Sequence, residues 1–301
     1  MAYAQPEAGE WLTVAPDGSK GTNIDSDTLL TMLQRRANLD LSVGVTANDA
    51  LEETGASVDR KGDDLSNAGD YTAQHNGVMY AARDMVVAAA QGRVLLGDKE
   101  KPGKTAQFNA THVVDIVEIG GDGTSGRDAL WEIKVPTPTK AEYCAGHGQR
   151  GTGGSPATVG HLYGFGNTEE IYNLKVHGHK GCGKEGDKPF NHATKEGWIK
   201  PHDGQYRDAH LKRNSVNMLL VETSGGINGD GRRAMRALHK RTKLKGAHDG
   251  TLYGRLRISP RSFIRHHASR LSLAACRGNA EQINKHVTSL KMRAVHAAAN
   301  A

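Results

Sequence analysis

Two short β-branched runs joined by a glycine-rich turn constrain this 301-residue chain more than any other feature. HVVDIVEI (112–119) and LWEIKV (130–135) flank GGDGTSG (120–126), a pattern that predicts a β-hairpin with a long loop. Side chains alternate faces along a strand, so Asp115, Val117 and Ile119 are expected on one face. Glu132 and Lys134 then share a face, with Trp131, Ile133 and Val135 opposite. Two carboxylates on adjacent strands, with a lysine two residues beyond one of them, can converge on one point. A hard divalent cation wants this: a few oxygen ligands, with positions left for water and a phosphate oxygen. The Ile133 carbonyl is a further candidate ligand, and a nearby lysine can activate a water or offset charge building on a phosphate. The bland alternative is a charged outer face of a half-buried hairpin, because E-x-K by itself is common by chance.

The flanking sequence predicts mixed α/β structure. QHNGVMYAARDMVVAAAQ (74–91) has Val78, Ala81, Ala82, Met85, Ala88 and Ala89 at helical spacing, with Gly92 ending it. RVLL (93–96) and VNMLLVET (216–223) read as strands, and RRAMRALHKRTK (232–243) as a basic helix. A short helix is expected over 27–37, with Leu29, Leu30, Met32 and Leu33 as its apolar face. Ser259-Pro260 reads as a helix start, Gly278 as a break, and Asn279 with Gln282 as the start of a last helix.

The order helix, strand, Asp-bearing strand, E-x-K strand resembles the PD-(D/E)XK, or restriction-endonuclease-like, nucleases. Asp115, Glu132 and Lys134 match its three signature positions, and VDIVE with ALWEIKV is similar to nuclease domains linked to reverse-transcribing mobile elements. The motif likeness spans residues 75–136, is looser over 215–290 and does not reach 1–70. It implies an α/β fold: a mixed central sheet flanked by helices, with an insertion at 137–215 and C-terminal helices. It also implies Mg²⁺- or Mn²⁺-dependent phosphodiester cleavage, with Asp115 and Glu132 as metal ligands and Lys134 as the third catalytic residue. Two departures stand out. Val114 replaces the proline of the family name, and helix 74–91 has no glutamate, leaving His75 and Asn76 at its start.

Charge distribution points to a polyanionic partner. Residues 1–70 hold 5 Lys/Arg against 13 Asp/Glu, whereas 231–301 hold 16 against 2. Cationic side chains on phosphates release condensed counterions, so the basic end suits nucleic acid, DNA first. The candidate backbone contacts are Arg232, Arg233, Arg236 and Lys240, with Arg241 beside them, and a second cluster of Arg261, Arg265 and Arg270 with His266 and His267. A solvated helix surface is the ordinary reading of such runs. The acidic stretch 1–70 is expected to be a partly disordered arm before a nuclease domain at 71–301.

No apolar run is long enough to span a bilayer, so no membrane is expected. MAYAQPEAGEWLTV lacks the marks of a secretory signal, and Cys144, Cys182 and Cys276 make no disulfide framework. A soluble protein of a reducing compartment, nuclear or nucleoid-associated, is the expectation. Three lesser features complete the reading. Cys144, His147, His177, His179 and Cys182 are a candidate zinc set for an interaction module. GHGQRG (146–151) fits a dinucleotide motif only formally, and GGINGDG (225–231) reads first as a tight turn and second as a phosphate cradle. A nucleic-acid-binding protein that keeps the fold without cleaving is the main rival.

Overall fold

The computed structural model describes residues 9–14, 22–37, 39–41, 65, 72–90, 93–97, 114–121, 127–137, 172, 175–183, 197–244 and 262–300. Among these are six strands: β1 (Val94–Leu96), β2 (Ile116–Glu118), β3 (Ala129–Lys134), β4 (Cys182–Gly183), β5 (Trp198–Ile199) and β6 (Ser215–Leu220). Five α-helices accompany them: α1 (Ser26–Ala37), α2 (Thr72–Ala89), α3 (Arg207–Leu211), α4 (Gly229–Leu244) and α5 (Phe263–Ala299). The hairpin expected from the alternating pattern is β2 and β3, paired antiparallel with Ile116 opposite Trp131 and Glu118 opposite Ala129. β1 adds antiparallel to β2, and β6 adds parallel to β3, giving a mixed sheet in the order β1-β2-β3-β6.

The sheet buries both faces, and five of the six β3 residues are buried. Ile116, Trp131, Ile133, Leu219 and Val221 face a core built with α2, α4 and α5. Val117 and Leu130 face the other way, against Val176, Tyr206 and Ala209. On α2, Val78, Ala82, Met85, Val86 and Ala89 fall on one stripe and are all buried. Arg241 of α4 grips the fully buried Glu118 of β2 with two nitrogens, at 3.1 and 2.9 Å, and also donates to the Gly121 carbonyl. Arg241 is therefore a bolt between helix and sheet, and is removed from the cationic surface that the sequence suggested.

Helix α5 corrects the sequence reading at Gly278. It is one continuous 37-residue helix that passes through Gly278, where a break was expected. A Cβ at Gly278 would come within 2.9 Å of the Gln74 Cα of α2, so the glycine permits two helix backbones to approach closely. The helix is capped by Ser262, whose side chain accepts from the Arg265 N–H, and Ser259-Pro260 lies outside the described residues. α1 is also turned from its expected orientation. Leu29, Leu30 and Leu33 are exposed, while Thr28, Thr31, Met32 and Arg35 are buried. Met32 and Trp11 pack with Leu273, Cys276 and Ala280 of α5, so the described parts of the acidic N-terminal stretch lie on the body of the protein. Burial pushes the Cys276 thiol up to about 12, in keeping with a packing role.

His267 belongs to this core as well. It is buried against Phe263, with ring centroids 4.4 Å apart, and burial, then His266 and Arg270, push its imidazole down to about 3 from an ordinary 6.5. The folded protein thus binds this proton less readily than the unfolded chain. Its stabilising contribution is full above pH 6.5 and is lost as pH falls towards 3. Urea midpoints at pH 7 and pH 5 should show wild type losing stability on acidification and His267→Phe losing less. Equal losses in the two proteins would contradict this assignment.

Candidate active site on the β2–β3 hairpin

β2 begins at Ile116; just before it the Asp115 carbonyl still accepts from Gly97 of the β1 side, while towards β3 a side chain makes the contact. Asp115 Oδ2 accepts from the Ile133 N–H at 2.7 Å, taking the place of a ladder bond. Continued by one residue, the β2–β3 register sets Asp115 opposite Glu132. Directly opposite residues in an antiparallel pair have Cβ atoms roughly 4.5–5.5 Å apart. The same alternation puts Glu132 and Lys134 on one face and Trp131 and Ile133 on the other, where the latter two join the helix-covered core. Lys134 Nζ lies 2.6 Å from Glu132 Oε1. The structure therefore brings Asp115, Glu132 and Lys134 to one end of one hairpin.

His75, in the first turn of α2, closes this end of the sheet. Its Nε2 is 3.2 Å from the Ile133 carbonyl oxygen and 3.5 Å from Asp115 Oδ2. A carbonyl only accepts, so Nε2 is the donor there. The hydrogen bond to Asp115 raises the His75 pKa against the opposing effect of burial, and the Asp115 charge raises it further. Helix α2 thus sends a side chain to this end of the hairpin.

Glu132 is 4% exposed, and protein donors compensate its burial. Lys134 and Lys175 both reach Oε1, the latter at 3.2 Å, and the Tyr206 hydroxyl donates to Oε2. Burial alone would push the Glu132 carboxyl up, but the two ammonium groups outweigh it and hold it below the ordinary range. Tyr206 is fully buried, and burial together with the Glu132 charge raises its hydroxyl pKa, so it stays a neutral donor. Sequence reasoning missed both Lys175 and Tyr206. They come from the stretch expected to be an insertion, which folds in part into a two-stranded ribbon. β4 pairs β5 antiparallel, His179 bridges His202 in the same register, and the Tyr206 N–H bonds the Lys175 carbonyl at 2.9 Å. The root of the ribbon sits on Glu132. A buried glutamate needs partners, and that was the only signal available for finding them.

Other expected sites fare differently. Among the described residues, no three or more His, Cys, Asp or Glu side chains gather closely enough to hold a metal ion. The hairpin site offers two carboxylates and one carbonyl instead. Cys144, His147 and GHGQRG lie outside the described residues, as does Arg261. Residues 225–228 are buried, and three of the backbone donors of this loop are used internally, those of Gly225, Asn228 and Gly231. Gly225 N–H bonds the Glu222 carbonyl, and the Asn228 side chain accepts from Leu220 and Gly231. The loop is a tight turn with a helix cap. Glu222, just before this loop, is fully buried and accepts from Ser224.

On α4, Arg233, Arg236 and Lys240 are exposed at positions i, i+3 and i+7, a single helix face, while Arg232 is half-buried. Arg233 pairs with Asp230 in the first turn. This face borders a cleft of about 530 Å³ along the open edge of β6, lined also by Tyr172, Asn217 and Met218. Arg265 is exposed at the start of α5, 3.9 Å from Glu10. Among the described residues no helix is long and apolar enough to cross a membrane.

Comparison with family models, with curated proteins and with solved structures finds no match to this chain. Geometry and chemistry carry the reading of the site. They give one direct check on it: an NMR titration of the His75 ring in wild type and Asp115→Asn. The His75 pKa should fall in the variant, because the main group that raises it is gone. An unchanged titration would show that the two side chains are not partners.

Proposed function

We propose that this protein is a metal-dependent nuclease with a restriction-endonuclease-like core, acting on DNA or RNA through Asp115, Glu132 and Lys134. What supports the reading is the β2–β3 register, which continued by one residue sets Asp115 opposite Glu132, together with Lys134 on the Glu132 carboxylate. The donor set fits a hard cation: two carboxylates and the Ile133 carbonyl are all oxygens, as Mg²⁺ or Mn²⁺ prefers. That position already holds a positively polarised group, the His75 N–H between Asp115 Oδ2 and the Ile133 oxygen. When bound, the cation would polarise a phosphoryl oxygen and make a coordinated water more acidic. Asp115 and Glu132 hold and orient it, and the Ile133 N–H fixes the Asp115 carboxylate at one oxygen. Lys134, with a side chain 40% exposed, supplies a positive charge at the mouth of the site for a phosphate that gains negative charge.

The exposed face of Arg233, Arg236 and Lys240 is the proposed track for the phosphate backbone. Its spacing supports backbone contact more than base reading, which needs bidentate side chains aimed into a groove. A second reading keeps the nucleic acid and drops the cleavage. It is favoured by the occupancy of Glu132, whose oxygens are already engaged by Lys134, Lys175 and Tyr206.

Two experiments separate these readings. Purified protein should cleave nucleic acid with Mg²⁺ or Mn²⁺ and stop with a chelator. Lys134→Ala should lose about a hundredfold or more in rate while still binding substrate. Full cleavage by Lys134→Ala would sink the mechanism, and binding without cleavage by wild type would establish the rival. Affinity should fall steeply with salt, with a log slope of about 0.9 per phosphate neutralised on duplex DNA. Replacing Arg233, Arg236 and Lys240 with alanine should flatten that slope alike on unrelated sequences. Salt-independent binding, or none, would defeat both readings.

A further inference from the structure

We propose that Lys175 is a displaceable counter-ion. It holds Glu132 in the cation-free protein, and it turns away to meet a substrate phosphate when a divalent cation binds. This rests on the reading of Asp115 and Glu132 as a cation site, and it assigns a positioning role to a residue of the ribbon.

A carboxylate offers about four lone-pair positions. Glu132 fills three of them, with Lys134 and Lys175 on Oε1 and the Tyr206 hydroxyl on Oε2. A divalent cation at Glu132 would sit within a few ångströms of two ammonium groups, where like charges repel strongly. One ammonium has to leave for binding to be favourable.

The geometry points to Lys175 as the one that leaves. Lys134 is bonded more closely, at 2.6 Å against 3.2 Å, and is fixed on β3 beside the carboxylate itself. Lys175 also has a second acceptor, Gln205 Oε1 at 2.5 Å, so releasing Glu132 does not leave its ammonium without a partner. Exposure does not decide between the two, since both side chains reach solvent, Lys175 at 22% and Lys134 at 40%. The root of the ribbon need not move. The Lys175 backbone is held by the Tyr206 N–H at 2.9 Å, and Tyr206 is anchored in the core beside Val176 and Ala209. The side chain exchanges while its backbone and the neutral tyrosine donor stay. Cation arrival and the presentation of a positive charge to the substrate are thereby one event.

The test is Mn²⁺ binding by titration calorimetry on the full chain, comparing wild type, Lys175→Met and Lys175→Arg. Lys175→Met should bind Mn²⁺ about tenfold tighter, since a competing charge is gone. Lys175→Arg should stay close to wild type. A merely structural lysine would give weaker binding in Lys175→Met, or no change. A second measurement uses the unaltered chain and does not depend on the variants folding. Acylation of Lys175 should rise several-fold at saturating Mn²⁺, while the exposed neighbour Lys180 stays constant. Mn²⁺ binding by wild type with no gain in Lys175→Met, or with unchanged acylation of Lys175, overturns this inference alone. Absence of Mn²⁺ binding from wild type overturns the cation site and this inference with it.

Discussion

A carboxylate buried in the middle of a sheet face is the constraint on which the rest of this structure depends. Glu132 lies on β3 among Leu130, Val117 and Tyr206, a place where an ionised group is tolerated only with full compensation. The donors come from three separate parts of the chain: Lys134 on the same strand, Lys175 at the root of the ribbon, and Tyr206 just before α3. Replacing this arrangement with apolar residues would be the cheaper way to fill the space. The neighbouring end of the sheet follows the same logic, with Asp115 and His75 serving the backbone groups of Ile133 in place of a strand.

The fold supplies the rigidity this cluster needs. Helices α2, α4 and α5 cover one face of the sheet, and the ribbon root with α3 covers the other. The close approach at Gly278 brings α2 against α5 and so fixes the first turn of α2, which bears His75. The Arg241 bolt onto Glu118 ties α4 to the opposite end of β2, leaving Arg233, Arg236 and Lys240 on the outside. Electrostatic function is thus divided on one helix: one arginine holds the fold together, and three other cations face solvent.

Much of the site's first layer was legible in the chain, because strand alternation has a period of two and needs no tertiary knowledge. The hairpin, the faces of Glu132 and Trp131, and the apolar stripe of α2 all follow from local pattern. What failed did so where a distant contact overrides a local preference. Gly278 reads as a helix break by propensity, yet it serves the approach of α2. Leu29, Leu30 and Leu33 read as a buried face, yet α1 presents Met32 and its polar neighbours to α5. Lys175 and Tyr206 carry no local mark, since their meaning depends on a carboxylate more than forty residues away in sequence. Asp115, Glu132 and Lys134 were readable, but the further partners Lys175 and Tyr206 were not.

The central claim is that Asp115 and Glu132 share one divalent cation. The most direct measurement is anomalous scattering from crystals of the full chain soaked in Mn²⁺. The account predicts one strong peak between the Asp115 and Glu132 carboxylates and within about 2–2.5 Å of an oxygen of each. Density elsewhere on the surface, or none at this hairpin under saturating Mn²⁺, would contradict it.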